Sequence, residues 1–169
     1  MNDKIKTLLN EQINKELYSA YLYVDIANYY DELDLDGYAN YYMIQAQEER
    51  DHAMLFYQFL QNESKEVTLL AIDKPDKELN SHMAVLEAGL EHEKYVTSLI
   101  HDIYAEAYKI QDFRTMQFLD WFVKEQGEEE TNANDMITKM ELFGSDARGL
   151  YLLNQELAAR VYSAPSLVL

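Results

Sequence analysis

The chain contains no cysteine, and only two prolines and five glycines interrupt its 169 residues. The absence of cysteine excludes disulfides, thiolate nucleophiles and every metal site built on thiolates. The scarcity of proline and glycine leaves long segments without helix-breaking residues. No run approaches the ~18 apolar residues of a membrane-spanning helix, and the N-terminal residues lack the apolar centre of a signal peptide. We therefore expect a cytoplasmic protein that makes no membrane contact.

Basic residues are also few, because 14 Lys and Arg stand against 31 Asp and Glu and leave a formal net charge of −17. Such a surface repels nucleic acid and anionic membranes, and it attracts cations. Hydrophobic residues still make up 48% of the chain, which is too many for a disordered protein. The length suits one domain with its own core, so we predict a single domain over residues 1–169.

Hydrophobic periodicity predicts four long helices and a short fifth one. They cover residues 3–30, 36–62, 80–109, 112–143 and 146–162. Short links make the first two helices, and also the third and fourth, antiparallel neighbours. The link over residues 63–79 contains Pro75, and its ~17 residues can reach ~56 Å, whereas a ~27-residue helix is ~40 Å long. The link can therefore run the full length of the molecule. This pattern predicts an all-α four-helix bundle with one long crossover and a short C-terminal helix.

Each long helix carries an apolar stripe with a polar interruption near its middle. At the spacing of bundle packing, the interruptions are Glu16, then Glu49 with His52, then Glu93, and then Gln126 with Glu129 or Glu130. In a bundle with these connections the mid-helix positions meet at one height. Several buried carboxylates with one imidazole and no inward Lys or Arg cannot neutralise one another. A multivalent cation resolves this conflict.

The ligand types indicate which metal would bind. Glu49 and His52 are spaced i, i+3, so both project from one helix face and can bind a single ion. Carboxylates with one imidazole suit iron or manganese better than structural zinc. Four or more inward carboxylates exceed the needs of one ion. The sequence therefore predicts a dinuclear site with Glu49 as the bridge.

The remaining candidate residues have ordinary structural interpretations. The other three histidines lack such partners and are predicted at the surface: His82, His92 and His101. Trp121 is predicted to pack, and Val123 is predicted to face inward on the fourth helix.

Five segments together resemble the bacterial non-haem ferritins, over essentially the whole chain. The segments are NEQINKELYSAYLY (10–23), AQEERDH (46–52), EHEKYVTSLI (91–100), FLDWFVKEQGEEE (118–130) and GLYLLNQEL (149–157). The resemblance implies a ferritin-like fold and a homo-oligomeric cage of 24 subunits. It also implies that Fe(II) is oxidised by O2 or H2O2 and stored as a ferric mineral.

The resemblance also implies roles for individual residues. The di-iron centre of this family matches Glu16, Glu49, His52, Glu93, Gln126 and Glu129. The first three would bind the first iron. Glu49 would bridge to a second iron held by Glu93, with the last two residues nearby. Tyr23 matches a tyrosine beside the centre that could supply an electron.

A third iron site in this family matches a set of four carboxylates. They are Glu48, Glu125, Glu128 and Glu129. Gly127 lies among them where many relatives carry a bulkier residue, often histidine. The short C-terminal helix would line a fourfold axis of the cage.

Other proteins of similar fold are distinguished by particular residues. Bacterioferritins carry a second Glu-x-x-His on the fourth helix, whereas the matching segment KEQGEEE has no histidine. Bacterioferritins also place the methionine that binds haem just after the bridging glutamate. Arg50 occupies that position here, so we expect no haem. Two other functions stay open: a non-catalytic acidic bundle whose polar layer sets helix register, and a di-iron oxidase outside a cage, which would need an organic-substrate pocket.

Overall fold

Five α-helices and no strand make up the computed structural model, which describes residues 1–169. They are α1 (Asp3–Asp31), α2 (Asp36–Asn62), α3 (His82–Lys109), α4 (Phe113–Phe143) and α5 (Ala147–Ala158). The expected fold class is confirmed, because four long helices form the bundle and a short fifth helix follows. None of the five helices combines the length and the apolarity that a bilayer span requires.

The fifth helix ends at Ala158, so the expected end at residue 162 is wrong. The Ala159 N–H donates to the Glu156 carbonyl, and the Arg160 N–H donates to the Leu157 carbonyl. Bonds of this i→i+3 type tighten the last turn and end the helix. The following residues, 159–169, have no regular secondary structure.

Side-chain caps explain where the helices begin. Four of them start after a residue whose side-chain oxygen accepts from a first-turn N–H: Asn2, Ser81, Asp112 and Asp146. Helix α2 lacks a cap of its own. Instead, Asn154 of α5 accepts from the Gly37 N–H at 2.8 Å and from the Tyr38 N–H at 3.2 Å. Helix α5 is therefore fastened to the start of α2.

Three helices end in the left-handed conformation without a glycine. The residues are Asp34 (φ 56°), Ser64 (φ 54°) and Gln111 (φ 55°). After Asp34, the Leu35 N–H donates to the Tyr30 carbonyl at 3.0 Å, which is the closing bond of a Schellman motif. The same bond closes α2 and α3. Sharp ends of this kind place α1 beside α2 and α3 beside α4.

The crossover between α2 and α3 is held along the side of α1. Asn10 accepts from the Thr68 N–H at 2.6 Å, and Asn14 donates to the Ala71 carbonyl at 2.8 Å. Tyr18, one further turn along α1, donates to an aspartate of the crossover. Because these side chains are spaced i, i+4, they follow one face of the helix. The crossover therefore runs along the bundle, as the length argument requires.

The core is divided into two clusters of 14 buried residues each. One is rich in phenylalanine, and the rings of Phe56 and Phe122 have centroids 4.3 Å apart. The other is rich in tyrosine, and Tyr30 stacks on Tyr38 at 4.7 Å. The prediction for Val123 is wrong, because its side chain is 38% exposed and Phe122 takes the inward position. Between the clusters lies a layer of buried polar side chains.

Candidate metal centre

The polar layer contains every residue of the expected di-iron set. Each is at most 6% exposed: Glu16, Glu49, His52, Glu93, Gln126 and Glu129. They come from the middle turns of α1, α2, α3 and α4. The antiparallel connections bring these turns to one height, which is why residues far apart in the sequence share a layer.

The tightest part of the layer joins Glu16, Glu49 and His52. One potential ligand atom from each lies within 4.8 Å of the others, and His52 Nδ1 is 3.4 Å from Glu49 Oε2. Gln12 donates to Glu16 Oε1 at 2.8 Å, whereas Glu16 Oε2 is buried and has no partner. A buried carboxylate oxygen without a partner is unfavourable. This group therefore has an unused ligand atom that fits a cation.

Glu93 lies on the α3 side of the layer and is held by two donors. The Tyr23 hydroxyl donates to Glu93 Oε1, and Gln126 Nε2 donates to Glu93 Oε2 at 3.1 Å. The structure thus places Tyr23 beside Glu93, where its phenol orients the carboxylate. Gln126 links α4 to α3 at the same height, since it also donates to the Glu93 carbonyl at 3.3 Å.

Glu129, rather than Glu130, is the α4 carboxylate that faces the layer. Glu129 is 6% exposed and accepts from Gln45 Nε2 at 2.9 Å. Glu130 lies to one side and accepts from the Thr97 hydroxyl at 2.6 Å. The side-chain amide oxygen of Gln45, Oε1, is buried without a hydrogen-bond partner, so it is a second unused oxygen in the layer.

Burial dominates the electrostatics of these carboxyl groups. It raises the pKa of Glu16 to about 8, with the Glu49 charge adding to the effect. Burial likewise raises the pKa of Glu129 to about 7, and the Glu93 charge adds to it. The pKa of Glu49 and that of Glu93 are raised by the same primary cause. The metal-free layer therefore retains protons near neutral pH, and a bound cation would displace them.

A cavity of about 20 Å³ lies against the layer. Its polar lining comes from tyrosine, glutamine and glutamate side chains: Tyr23, Tyr41, Tyr42, Gln45, Glu93 and Glu129. This volume holds about one water-sized molecule. An organic substrate would not fit beside the carboxylates.

The residues expected at a third iron site are in three different environments. Glu48 is 17% exposed and its Oε2 lies 2.6 Å from Arg160 Nη2. Glu125 is half-buried, and burial raises its pKa. Glu128 is 58% exposed and forms an ion pair with Lys124 at 3.1 Å. The structure therefore brings Glu48 and Glu125 to the edge of the layer but leaves Glu128 outside it.

Gly127 imposes no packing constraint on this region. The residue is exposed, and a Cβ built at this position would meet no atom within 4 Å. A side chain there would extend into open space. Packing therefore does not require a glycine at this position.

The prediction for His92 is wrong, because this histidine is only 5% exposed. Its Nε2 lies 2.8 Å from the Ser19 hydroxyl, and it packs against the rings of Tyr18 and Tyr23. Burial lowers its pKa to about 4. His92 is thus a neutral core residue behind the polar layer. Trp121 packs as expected, with its ring centroid 5.4 Å from that of His52.

Two polar residues of the site were missed by sequence reasoning. Gln12 precedes Glu16 by four residues, so the helical repeat contained the signal for this contact. No sequence pattern predicts the contact of Arg160 with Glu48. Arg160 lies beyond the end of α5 and reaches Glu48 only because the chain turns back there.

Comparison with known proteins agrees with this geometry. Residues 6–143 match the ferritin-like domain model of the Ferritin family. A bacterial non-heme ferritin from Staphylococcus saprophyticus is 36% identical over 162 residues, which cover 96% of this chain and 97% of the relative. A bacterial non-heme ferritin from Campylobacter jejuni is 35% identical, with 92% and 93% covered.

Solved structures give the same result. The open-pore ferritin of the hyperthermophilic archaeon Archaeoglobus fulgidus superimposes with a TM-score of 0.93 and is 42% identical. The match covers 95% of this chain and 99% of that one. A buried layer of carboxylates and one histidine inside a four-helix bundle thus accompanies similarity along nearly the whole length. The chain belongs to the ferritin family.

Proposed function

We propose that this protein stores iron and that its buried carboxylate layer oxidises Fe(II) before storage. The observation that supports the proposal is the composition of the layer. Four carboxylates and one imidazole are buried between two apolar clusters, and no Lys or Arg is buried anywhere in the chain. Cations supplied from solution are therefore the natural counter-charge. Membership of the ferritin family supports iron as that cation.

The proposed ligands follow from the contacts within the layer. Glu16, Glu49 and His52 bind the first Fe(II), because their ligand atoms form the tightest group. Glu49 bridges to a second Fe(II) that Glu93 holds from α3. Gln126 orients Glu93 through its 3.1 Å hydrogen bond. Glu129 accepts a hydrogen bond from Gln45 of α2 and lines the small cavity beside Glu93.

The proposed reaction is a two-electron oxidation. Each of two Fe(II) ions gives up one electron, and O2 takes both electrons together with two protons to become H2O2. With H2O2 as oxidant, the same two electrons and two protons give two waters. Anionic oxygen ligands favour Fe(III) over Fe(II), because the interaction energy grows with the charge of the ion. The 20 Å³ cavity beside Glu93 has the volume for a small oxidant.

Two proposed roles involve residues around the centre. Tyr23 is the candidate electron donor, since its hydroxyl contacts Glu93 directly. Burial raises the pKa of the Tyr23 phenol well above its ordinary value, so any electron transfer from it must also move a proton. Glu93, which accepts the hydroxyl hydrogen bond, is the group to receive that proton.

We also propose that 24 copies assemble into a cage. Large apolar side chains remain exposed on the isolated chain, including Tyr21, Val24, Met43, Leu142 and Leu152. Exposed apolar surface of this extent is typical of subunit contacts. A cage of 24 chains of 19.8 kDa would have a mass of about 475 kDa. Its acidic surface would concentrate Fe(II).

The proposal is tested by adding aerobic Fe(II) to metal-free protein and following the ferric absorbance. We expect rapid oxidation by the wild type and a rate near the protein-free background for the Glu49→Ala, His52→Ala double variant. Glu11→Gln is the matched control, because Glu11 is an exposed glutamate of α1 that belongs to neither expected iron site. Equal rates in the wild type and the double variant would exclude the assigned site.

The two alternative functions make different predictions in the same experiments. A non-catalytic bundle would elute near its chain mass of 19.8 kDa and would leave Fe(II) unoxidised. A di-iron oxidase acting on an organic substrate would need a larger pocket than the 20 Å³ cavity beside the carboxylates. Elution near 475 kDa with saturable Fe(II) oxidation would support only the ferritin proposal.

A further inference from the structure

The segment after α5 turns back along α2 and passes the edge of the metal layer. We name residues 159–169 the C-terminal strap. Its side-chain and backbone contacts join Arg160 to Asn40, Tyr162 to Asp51, and Ser166 to Trp121. These contacts involve both α2 and α4, the two helices that carry the carboxylates expected at a third iron site.

Arg160 of the strap contacts Glu48 at the edge of the layer. Its Nη2 lies 2.6 Å from Glu48 Oε2, and its Nη1 donates to the Tyr41 carbonyl at 3.3 Å. The guanidinium also lies 4.2 Å from the centre of the Tyr41 ring. Only 23% of the Arg160 side chain and 17% of the Glu48 side chain are exposed. A pair this well buried, with a stacked and hydrogen-bonded guanidinium, is stronger than a loose surface ion pair.

We propose that Arg160 is a built-in counter-ion that withholds Glu48 from a third cation. This inference rests on the proposed function, in which Glu48 belongs to a metal site beside the di-iron pair. The negative charge of Glu48 is neutralised by the guanidinium, so a cation must displace Arg160 before this carboxylate contributes its full charge. Arg160 is therefore a positioning residue that acts through Glu48.

The contact between Arg160 and Glu48 is separate from the ligands of the di-iron pair. None of the residues assigned to that pair lies in the strap, and the four long helices end before it begins. Release of Arg160 would free Glu48 while Glu16, Glu49 and His52 stay in place. The third cation is thereby coupled to Arg160 more directly than the first two are.

The experiment measures Zn(II) binding to the assembled, metal-free protein by calorimetry and equilibrium dialysis. Zn(II) is redox-inert, so binding is separated from oxidation. The variants are Arg160→Gln, Glu48→Gln and the double variant. We expect Arg160→Gln to strengthen the weakest Zn(II) event on the order of tenfold while the two tight events change much less. We expect Glu48→Gln to remove that event, and the double variant to behave like Glu48→Gln.

Two results would overturn the role of Arg160. One is an unchanged or weakened third event in Arg160→Gln. The other is that Arg160→Gln strengthens the third Zn(II) event equally in the wild-type background and in the Glu48→Gln background. Arg160→Lys separates the effect of the charge from that of the guanidinium contacts. Lysine keeps the positive charge but loses the paired hydrogen bonds and the stacking on Tyr41. We expect the third Zn(II) event of Arg160→Lys to have near wild-type affinity. This should hold even if Arg160→Lys and Arg160→Gln both have lower melting temperatures than the wild type. A third event in Arg160→Lys as strong as in Arg160→Gln would contradict the inference.

The same titrations separate this inference from the proposed function. If Glu49→Ala, His52→Ala retains the two tight Zn(II) events, the assigned di-iron site is wrong. If that variant loses them while Glu48→Gln keeps the third event, the di-iron assignment stands and the role of Arg160 is overturned.

Discussion

Replacing Glu16 by glutamine is expected to make the metal-free protein more stable and to abolish rapid Fe(II) oxidation. Glu16 is 1% exposed, and one of its oxygens has no partner. Glutamine has the same shape and still accepts the hydrogen bond from Gln12. The substitution therefore removes a buried titratable carboxyl group without creating a cavity.

The magnitude follows from the pKa of Glu16, which burial raises from 4.5 to about 8. Between these two values the folded state keeps a proton that the unfolded state has lost. Stability consequently falls as the pH rises, by about 1.4 kcal/mol for each pH unit, and the loss is complete above the folded-state pKa. At pH 7 the cost of keeping Glu16 protonated in the folded state therefore lowers the stability of the metal-free protein by about 3 kcal/mol, and at pH 5 by less than about 1 kcal/mol.

The assay is thermal unfolding of the assembled protein in a metal chelator at pH 5 and pH 7. Glu16→Gln should melt well above the wild type at pH 7 and close to it at pH 5. Glu11→Gln is the matched control, since Glu11 is an exposed glutamate of the same helix. It should change the free energy of unfolding by less than about 0.5 kcal/mol at either pH.

Two results would refute the reasoning. One is a melting-temperature difference between Glu16→Gln and the wild type that is the same at pH 5 and pH 7. The other is a stabilised variant that still oxidises Fe(II) at the wild-type rate. The first would mean that burial does not perturb the carboxyl group, and the second that Glu16 is not a ligand.

Further expectations concern individual positions. Gly37→Ala should destabilise the protein by about 2 kcal/mol or more in thermal unfolding, because its Cβ would lie 1.7 Å from a carbonyl oxygen of α5. Gly127→Ala should instead stabilise it by about 1 kcal/mol, since its Cβ meets no atom and alanine favours helix; a loss of stability would contradict this. Gln111→Gly should raise stability by about 0.5–1 kcal/mol, because φ is 55° there, and no gain would show that the turn is unstrained. Tyr23→Phe removes a donor to buried Glu93 and should lower stability by about 1–3 kcal/mol, with slower Fe(II) oxidation in stopped-flow absorbance; an unchanged rate would exclude the electron-donor role.

The bundle and its polar layer could be predicted because both depend on local periodicity. Helix stripes identify the inward face, and short connections fix which helices are antiparallel neighbours. Glu49 and His52 lie on one stripe, so their shared face follows from the 3.6-residue repeat. Glu16 and Glu93 join them only because the helices have similar lengths. The layer could therefore be deduced without knowledge of any tertiary contact.

The edge of the site could not be predicted in this way. Glu48 and Glu128 both lie beside inward residues, yet one pairs with Arg160 and the other with Lys124. Lys124 is four residues from Glu128, within reach of a helical pattern. Arg160 is 112 residues from Glu48, and periodicity holds no information on where an irregular segment returns. His92 was misassigned for a related reason, since its only polar partner is Ser19 on another helix.

The position of the layer explains how the fold tolerates its buried acids. Fourteen buried residues pack on each side of the layer, and fully burying one large apolar side chain contributes about 1.5–3 kcal/mol. Conformational entropy opposes most of this stabilisation, so the penalty of the buried acids has to stay small. Protonation near neutral pH limits the penalty further, and a cation would remove it. The metal-free protein can therefore fold with its acids protonated, and a cation that binds afterwards would have to displace these protons.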